Sequence, residues 1–333
     1  MSSQTVDLSI ALSDNERTRP IIQGRFQPQG IRLLPTTVHP SEMFWRQLKF
    51  GEFDVSEMSM SSLIIAVSQG DTRWVGLPIY TMRKFFHTGI LIRKDRGIKS
   101  PADLRGKKVG VPEYQQTAAI WSRGVLQHEF GVHAREIEWF MERGPDMSHG
   151  GATQFKPPEG VKLHQIPPTT NIGEMMVNGE LDATLLYIAD KNLVDRSRID
   201  LESHPDITTL FPDPIAERRR YFAKTGIYPI NHAMVIKRSV FEKYPWAPIN
   251  IFHAFTAAKQ DVEKEMNASL ESYFDSGLLG SDAQKAVGVD IKSYGLKQAG
   301  KVLETVAQYV HEQGLTSRRV KLEEIFAPST LAL

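Results

Sequence analysis

Residues 87–119 read HTGILIRKDRGIKSPADLRGKKVGVPEYQQTAA, and this order of strand, capped helix, strand and helix-opening turn leaves few folds open to the chain. Residues 89–94 are β-formers ended by Asp95 and Gly97. Ser100 caps a short helix over 102–104 and Pro101 opens it, because a first-turn proline has no intrahelical N–H bond to lose. Residues 107–111 make a compact apolar strand, and 112–117 lead into a helix holding Ala118, Ile120, Trp121 and Leu126. A helix that starts directly after a strand aims unpaired N–H groups at one spot, which suits an anion.

The flanking segments repeat the alternation. Residues 6–12 read as a first strand, 13–20 as a polar, arginine-bearing loop, and 30–35 as a second strand. A helix begins at 39–42 and carries Met43, Phe44, Trp45 and Leu48 on one face. Residues 51–58 turn into a short strand, 59–69 form a helix with Leu63, Ile64 and Val67 inward, and 74–79 form another strand. This β-α-β-α-β order predicts a parallel sheet with helices on both faces. Further on come a strand at 136–140, a loop at 144–160, a helix at 172–178 and strands within 179–186 and 206–211. The basic run 218–220 reads as a solvated loop. Residues 228–237 read as a strand returning to the first sheet, and helices alternate with Gly-bearing loops from 239 to 326. The expected division is 1–93 and 232–333 for lobe one and 94–231 for lobe two, joined by two chain crossings with a ligand cleft between them.

A chain of 333 residues has room for two such units, and 41% apolar with 24% charged residues fits a globular protein. Forty basic against thirty-nine acidic side chains argue against a nucleic-acid partner. The absence of cysteine removes disulfides, thiolate metal sites and a cysteine nucleophile. The first twenty residues show no basic start with an apolar core, and no stretch has the length of a membrane span. The expectation is a cytoplasmic protein without membrane contact.

In open α/β sheets ligands bind beyond the carboxyl ends of the strands. The residues there include Arg17 and Arg19 after strand one, Glu57 and Ser59 after strand three, Arg83, Lys84 and His87 after strand four, the 113–117 group, and Asn231 and His232 on the return strand. Arginine meets a carboxylate with two parallel hydrogen bonds, so Arg17, Arg19 and Arg83 are candidate anchors, although a solvated loop or a structural ion pair accounts for each equally simply. Ser59, Tyr114, Gln115, Thr117 and Asn231 are candidate hydrogen-bonding residues. His87 and His232 stand at the two predicted crossings, and an imidazole with an ordinary pKa of ~6.5 both gives and takes a proton near neutrality. Glu57 either pairs with one of them or caps the next helix. No close HxH or HxxxH pair joins these histidines, so no metal is expected, and no dinucleotide, Walker or nucleophile-elbow motif is present.

The phrase ADLRGKKVGVP resembles the start of the second lobe of type-2 periplasmic binding proteins, which implies a two-lobed α/β fold, each lobe a mainly parallel sheet flanked by helices. More narrowly, NERTRPIIQG, FDVSEMSMSS, VGVPEYQQTAAIWSRGVLQHEFGV and the INH and PW of the return strand resemble the 4,5-dihydroxyphthalate decarboxylase family over nearly the whole chain. That resemblance implies conversion of 4,5-dihydroxyphthalate to 3,4-dihydroxybenzoate and CO2 without a cofactor, with Arg17, Arg19 and Arg83 holding carboxylates and His87, His232 and Glu57 handling protons. A small aromatic dicarboxylate is the expected partner and a dimer or tetramer the expected assembly. The alternative is a non-catalytic binding protein for an aromatic carboxylate or a related small anion.

Overall fold

The computed structural model describes residues 5–333. Two mixed sheets organise them. The first runs β2-β1-β3-β11-β4, built from β1 (Val6–Leu12), β2 (Ile31–Thr37), β3 (Val55–Ser59), β4 (Trp74–Arg83) and β11 (Ile230–Lys237). The second runs β10-β5-β9-β6-β7-β8, from β5 (Leu91–Arg93), β6 (Lys108–Val111), β7 (Glu138–Met141), β8 (Lys162–Gln165), β9 (Ala183–Thr184) and β10 (Ile207–Thr209). Because β5 pairs with β9 and β10, the chain has already crossed to the second sheet before Arg93. The return falls just ahead of β11, so a boundary at 231/232 would cut that strand.

The sheets are less parallel than the element order implies. β1 pairs in parallel with β2 and β3, but β11 lies antiparallel between β3 and β4. An alternating segment is equally at home in either direction, and only the route of the chain decides. The β11–β4 register shifts on both sides of His232. A bulge of this kind re-aims a side chain at the cost of one irregular pairing. It falls on the histidine that faces the cleft.

Each sheet buries its own apolar cluster. Ile10, Val55, Leu77 and Met234 are central in the first, and Val109, Val111, Trp139 and Leu185 in the second. The run 218–220 is not a loop: Asp213 caps a helix over Pro214–Thr225, its carboxylate accepting from the N–H groups of Ile215 and Ala216. The loop 144–160 holds a one-turn helix, His149–Ala152, and β8 follows it.

The long helix Leu296–Glu312 buries Leu296, Ala299, Leu303, Val306, Ala307 and Val310, an i, i+3, i+4, i+7 stripe that faces the core. It packs against helices Met60–Ser68 and Thr117–Phe130, one attached to each sheet. The approach is tightest at Gly124, where an added Cβ would lie 2.1 Å from the Tyr309 ring. Gly124→Ala is therefore expected to cost about 1–3 kcal/mol by overpacking. Calorimetry should show a melting temperature lowered by roughly 2–10 °C.

Candidate active site

The centre of the first sheet holds an ionised carboxylate. Glu57, on β3, is fully buried and accepts four hydrogen bonds: from the Ser13 N–H (2.7 Å) and Oγ (2.6 Å), from Thr81 Oγ1 (2.6 Å) and from His232 Nδ1 (2.9 Å). Burial pushes its carboxyl up, but the hydrogen bonds and charge of His232 and the hydroxyls of Ser13 and Thr81 outweigh that and hold it below its ordinary value. Donation to Glu57 fixes the proton of His232 on Nδ1. Nε2 then faces the cleft and lies 2.9 Å from the Asn231 side-chain amide. Phe44 packs edge-on against the imidazole, with ring centroids 4.6 Å apart.

His232 opens onto a cleft of about 240 Å³ between the two sheets. Phe44, Met82, Phe86, Leu186 and Ile188 supply apolar walls. Three helices begin at its edge: Pro40–Phe50, Met60–Ser68 and Thr117–Phe130. The N-terminal dipole ends of these helices lie at the edge of the cleft, and Lys84 and Asp190 line it with one cation and one anion. Ser59 and Thr117 join two of these helix starts through a 2.8 Å hydroxyl contact, and Thr117 also accepts from the Ser61 N–H. At the third, His39 Nδ1 accepts from the Ser41 N–H. Burial lowers the His39 imidazole despite the carboxylates of Asp195 and Asp190, so it is neutral near pH 7.

Of the sequence-predicted residues, the structure gathers Glu57, Ser59, Thr117, Asn231 and His232 here and takes the others elsewhere. His87 is buried in a 3-10 turn among Phe85, Phe211 and Tyr221, with Nε2 3.2 Å from Glu217. Arg17 donates to the carbonyls of Tyr80 and Thr81, and Arg19 pairs with Asp14 at the surface. Arg83 lies on the opposite side of β4 from Met82 and Lys84, following strand alternation. It donates to the Ser293 carbonyl at 2.6 Å, and burial pulls its pKa down to about 10. Tyr114 sits in the second core beneath Arg123, whose guanidinium is 3.8 Å from its ring centroid. Gln115 is held by Thr153 and Ser62. Lys84 had a place in the strand-end reasoning but was passed over for Arg83. Gln116, inside the 113–117 group but not singled out there, also lines the cleft, as do His39 and Asp190, which the sequence reading does not name as candidates.

A second buried network braces the cleft from behind. Arg143 forks onto Asp195 (2.7 and 3.0 Å), meets Glu113 at 3.0 Å and reaches Ser41 Oγ at 2.7 Å. Burial opposes the Asp195 charge, yet Arg143 holds it below its ordinary value. Among the described residues no cluster of three or more His, Cys, Asp or Glu side chains is placed to hold a metal ion.

The architecture is of the periplasmic-binding-protein class. It superimposes on the periplasmic aliphatic sulphonate-binding protein of Escherichia coli with a TM-score of 0.53 at 12% identity, covering 96% of this chain and 91% of that one. The alkanesulfonate-binding protein of Xanthomonas axonopodis pv. citri matches with a TM-score of 0.55 at 14% identity, over 98% of each chain. The NMT1/THI5 like family matches residues 48–148. Among curated relatives, a 4,5-dihydroxyphthalate decarboxylase of Comamonas testosteroni is 31% identical over 329 residues, 98% of both chains. Another, of Pseudomonas putida, is 33% identical over 209 residues, 63% of this chain and 78% of that protein. The chain belongs to the 4,5-dihydroxyphthalate decarboxylase family.

Two stability predictions follow from the buried charges. Arg143→Ala strands the Glu113 and Asp195 carboxylates in the interior and should cost about 3–5 kcal/mol, read as a lower urea midpoint. Glu57 and Asp195 have folded pKa values below their ordinary 4.5 and 3.8. Their stabilisation is thus complete above those values and lost as pH falls through the depressed folded ones. Urea midpoints should hold near neutrality and drop below pH ~4, with a shallower acid drop in Glu57→Gln.

Proposed function

We propose that this protein is a carboxy-lyase that converts 4,5-dihydroxyphthalate to 3,4-dihydroxybenzoate and CO2 in the cleft beside His232. The observation that carries this reading is one cleft combining apolar walls, three helix N-termini with Lys84, and an imidazole oriented by a buried carboxylate. The names of the two relatives support the same reaction.

In this reading the ring lies between Phe44 and Phe86, and its carboxylates face Lys84 and the helix starts at Ser59 and Thr117. The hydroxyl para to the departing carboxylate gives up its proton to water, and its electrons move through the ring onto the carbon bearing that carboxylate. His232, protonated on both nitrogens, transfers the Nε2 proton to this carbon. The buried Glu57 carboxylate stabilises the imidazolium before transfer and keeps Nδ1–H in place after it. The C–H bond forms, the bond to the carboxylate breaks, and its electron pair restores the aromatic ring as CO2 leaves. The phenolic oxygen regains a proton and water reprotonates His232, so each turnover consumes one proton. No electrons pass to an external acceptor, so the proposal invokes no redox cofactor.

The proposal includes a homo-oligomer acting in the cytoplasm. The helix Ala247–Asp275 leaves Met266 and Tyr273 exposed on its outer half, the face offered for a second copy. Helix Leu296–Glu312 is instead committed to the core.

The test is turnover of 4,5-dihydroxyphthalate by the purified protein, measured as CO2 and 3,4-dihydroxybenzoate. His232→Gln should lower kcat about 10²–10⁴-fold, while His87→Gln should keep kcat near wild type and lower the melting temperature. Binding without turnover in the wild type would sink the reading in favour of a binding protein.

A further inference from the structure

The run 115–117 contains one polar side chain with nothing to do. Gln115 is engaged by Thr153 and Ser62, and Thr117 by Ser59 and Ser61. Gln116 lies between them, 9% exposed, and lines the cleft. Its Oε1 is buried without a hydrogen-bond partner, although buried polar atoms are overwhelmingly paired. The side chain does not cap its own helix either. Its backbone is committed, since the Gln116 carbonyl accepts from the Ile120 N–H at 3.0 Å, which leaves the side-chain oxygen as the group without a partner.

An amide oxygen only accepts, so it must meet a donor. The carboxylates of an aromatic dicarboxylate carry no proton near neutrality and would be repelled by it. A ring hydroxyl is the group that fits. Two adjacent ring hydroxyls fit better: one donates to the other, leaving one free O–H and one acceptor oxygen along that edge. A primary amide presents the matching acceptor and donor side by side. We infer that Gln116 is the specificity-determining residue that reads the vicinal hydroxyl pair of the substrate. This rests on the proposed reaction for the identity of the ligand.

The experiment compares wild type, Gln116→Met and Gln116→Leu on 4,5-dihydroxyphthalate and on 4-hydroxyphthalate, which lacks the second hydroxyl. Binding of both compounds is followed by calorimetry alongside kcat/KM. Wild type should favour the dihydroxy compound, and either variant should lose about tenfold or more on it while changing little on the monohydroxy one, collapsing the preference. Equal losses on both compounds, or no loss on either, would overturn the role of Gln116. If wild type turns over neither compound, the reaction is wrong, and the binding preference of wild type against the variants still decides the residue. Two apolar replacements are used so that misfolding of one, seen in its melting curve, leaves the other to decide.

Discussion

The buried carboxylate of Glu57 is the constraint around which the first sheet is arranged. Its donors come from the turn after β1, from β4 and from β11, so one ionised group on β3 ties together four of the five strands. An isolated charge in that position would be intolerable, and a partly satisfied one would leave the sheet centre unstable. With four donors the charge is affordable, and it does something an apolar residue could not. It sets the tautomer and direction of His232, which the β11 bulge then turns toward the cleft. Stability of the sheet and reactivity of the imidazole therefore rest on the same atoms.

The cleft does not draw on the arginines that the sequence offers as anchors. Arg17, Arg83 and Arg143 are all buried, and each is used to satisfy carbonyls or carboxylates away from the ligand space. Their forked guanidinium groups are well suited to bridging irregular backbone, and that use outcompetes exposure in the cleft. In the proposed reading, helix N-termini at the cleft take over anion recognition; they are rigid and carry no side-chain entropy to lose.

What was legible in the sequence follows from which interactions are local. Many strands and helices are encoded in alternation, caps and periodicity, and they fall where those signals place them: the turn opened by Ser100 and Pro101, the helix over Thr117–Phe130, the return strand through His232. The strand-end rule found Glu57, Ser59, Thr117, Asn231 and His232, because a sheet's carboxyl edge is a property of chain direction. It failed for His87 and Arg83, where the answer depends on which way a side chain points across one residue of strand or turn. Partners distant in sequence, such as Glu217 for His87 and Ser293 for Arg83, leave no local trace. The helix over Pro214–Thr225 was hidden by its charged face, although Asp213 and Pro214 spell its start.

The route from a binding fold to a reactive one is short in this structure. A two-lobed cleft already excludes water and collects anion-binding groups, so the ground-state recognition of an aromatic carboxylate needs nothing new. Decarboxylation adds one demand, a proton delivered to a ring carbon. Glu57 meets His232 at Nδ1, on the buried side of the imidazole. In the proposed reaction that placement keeps the carboxylate's charge out of the cleft, where a dianionic substrate would lie, while its hydrogen bond still orients the proton-transferring ring.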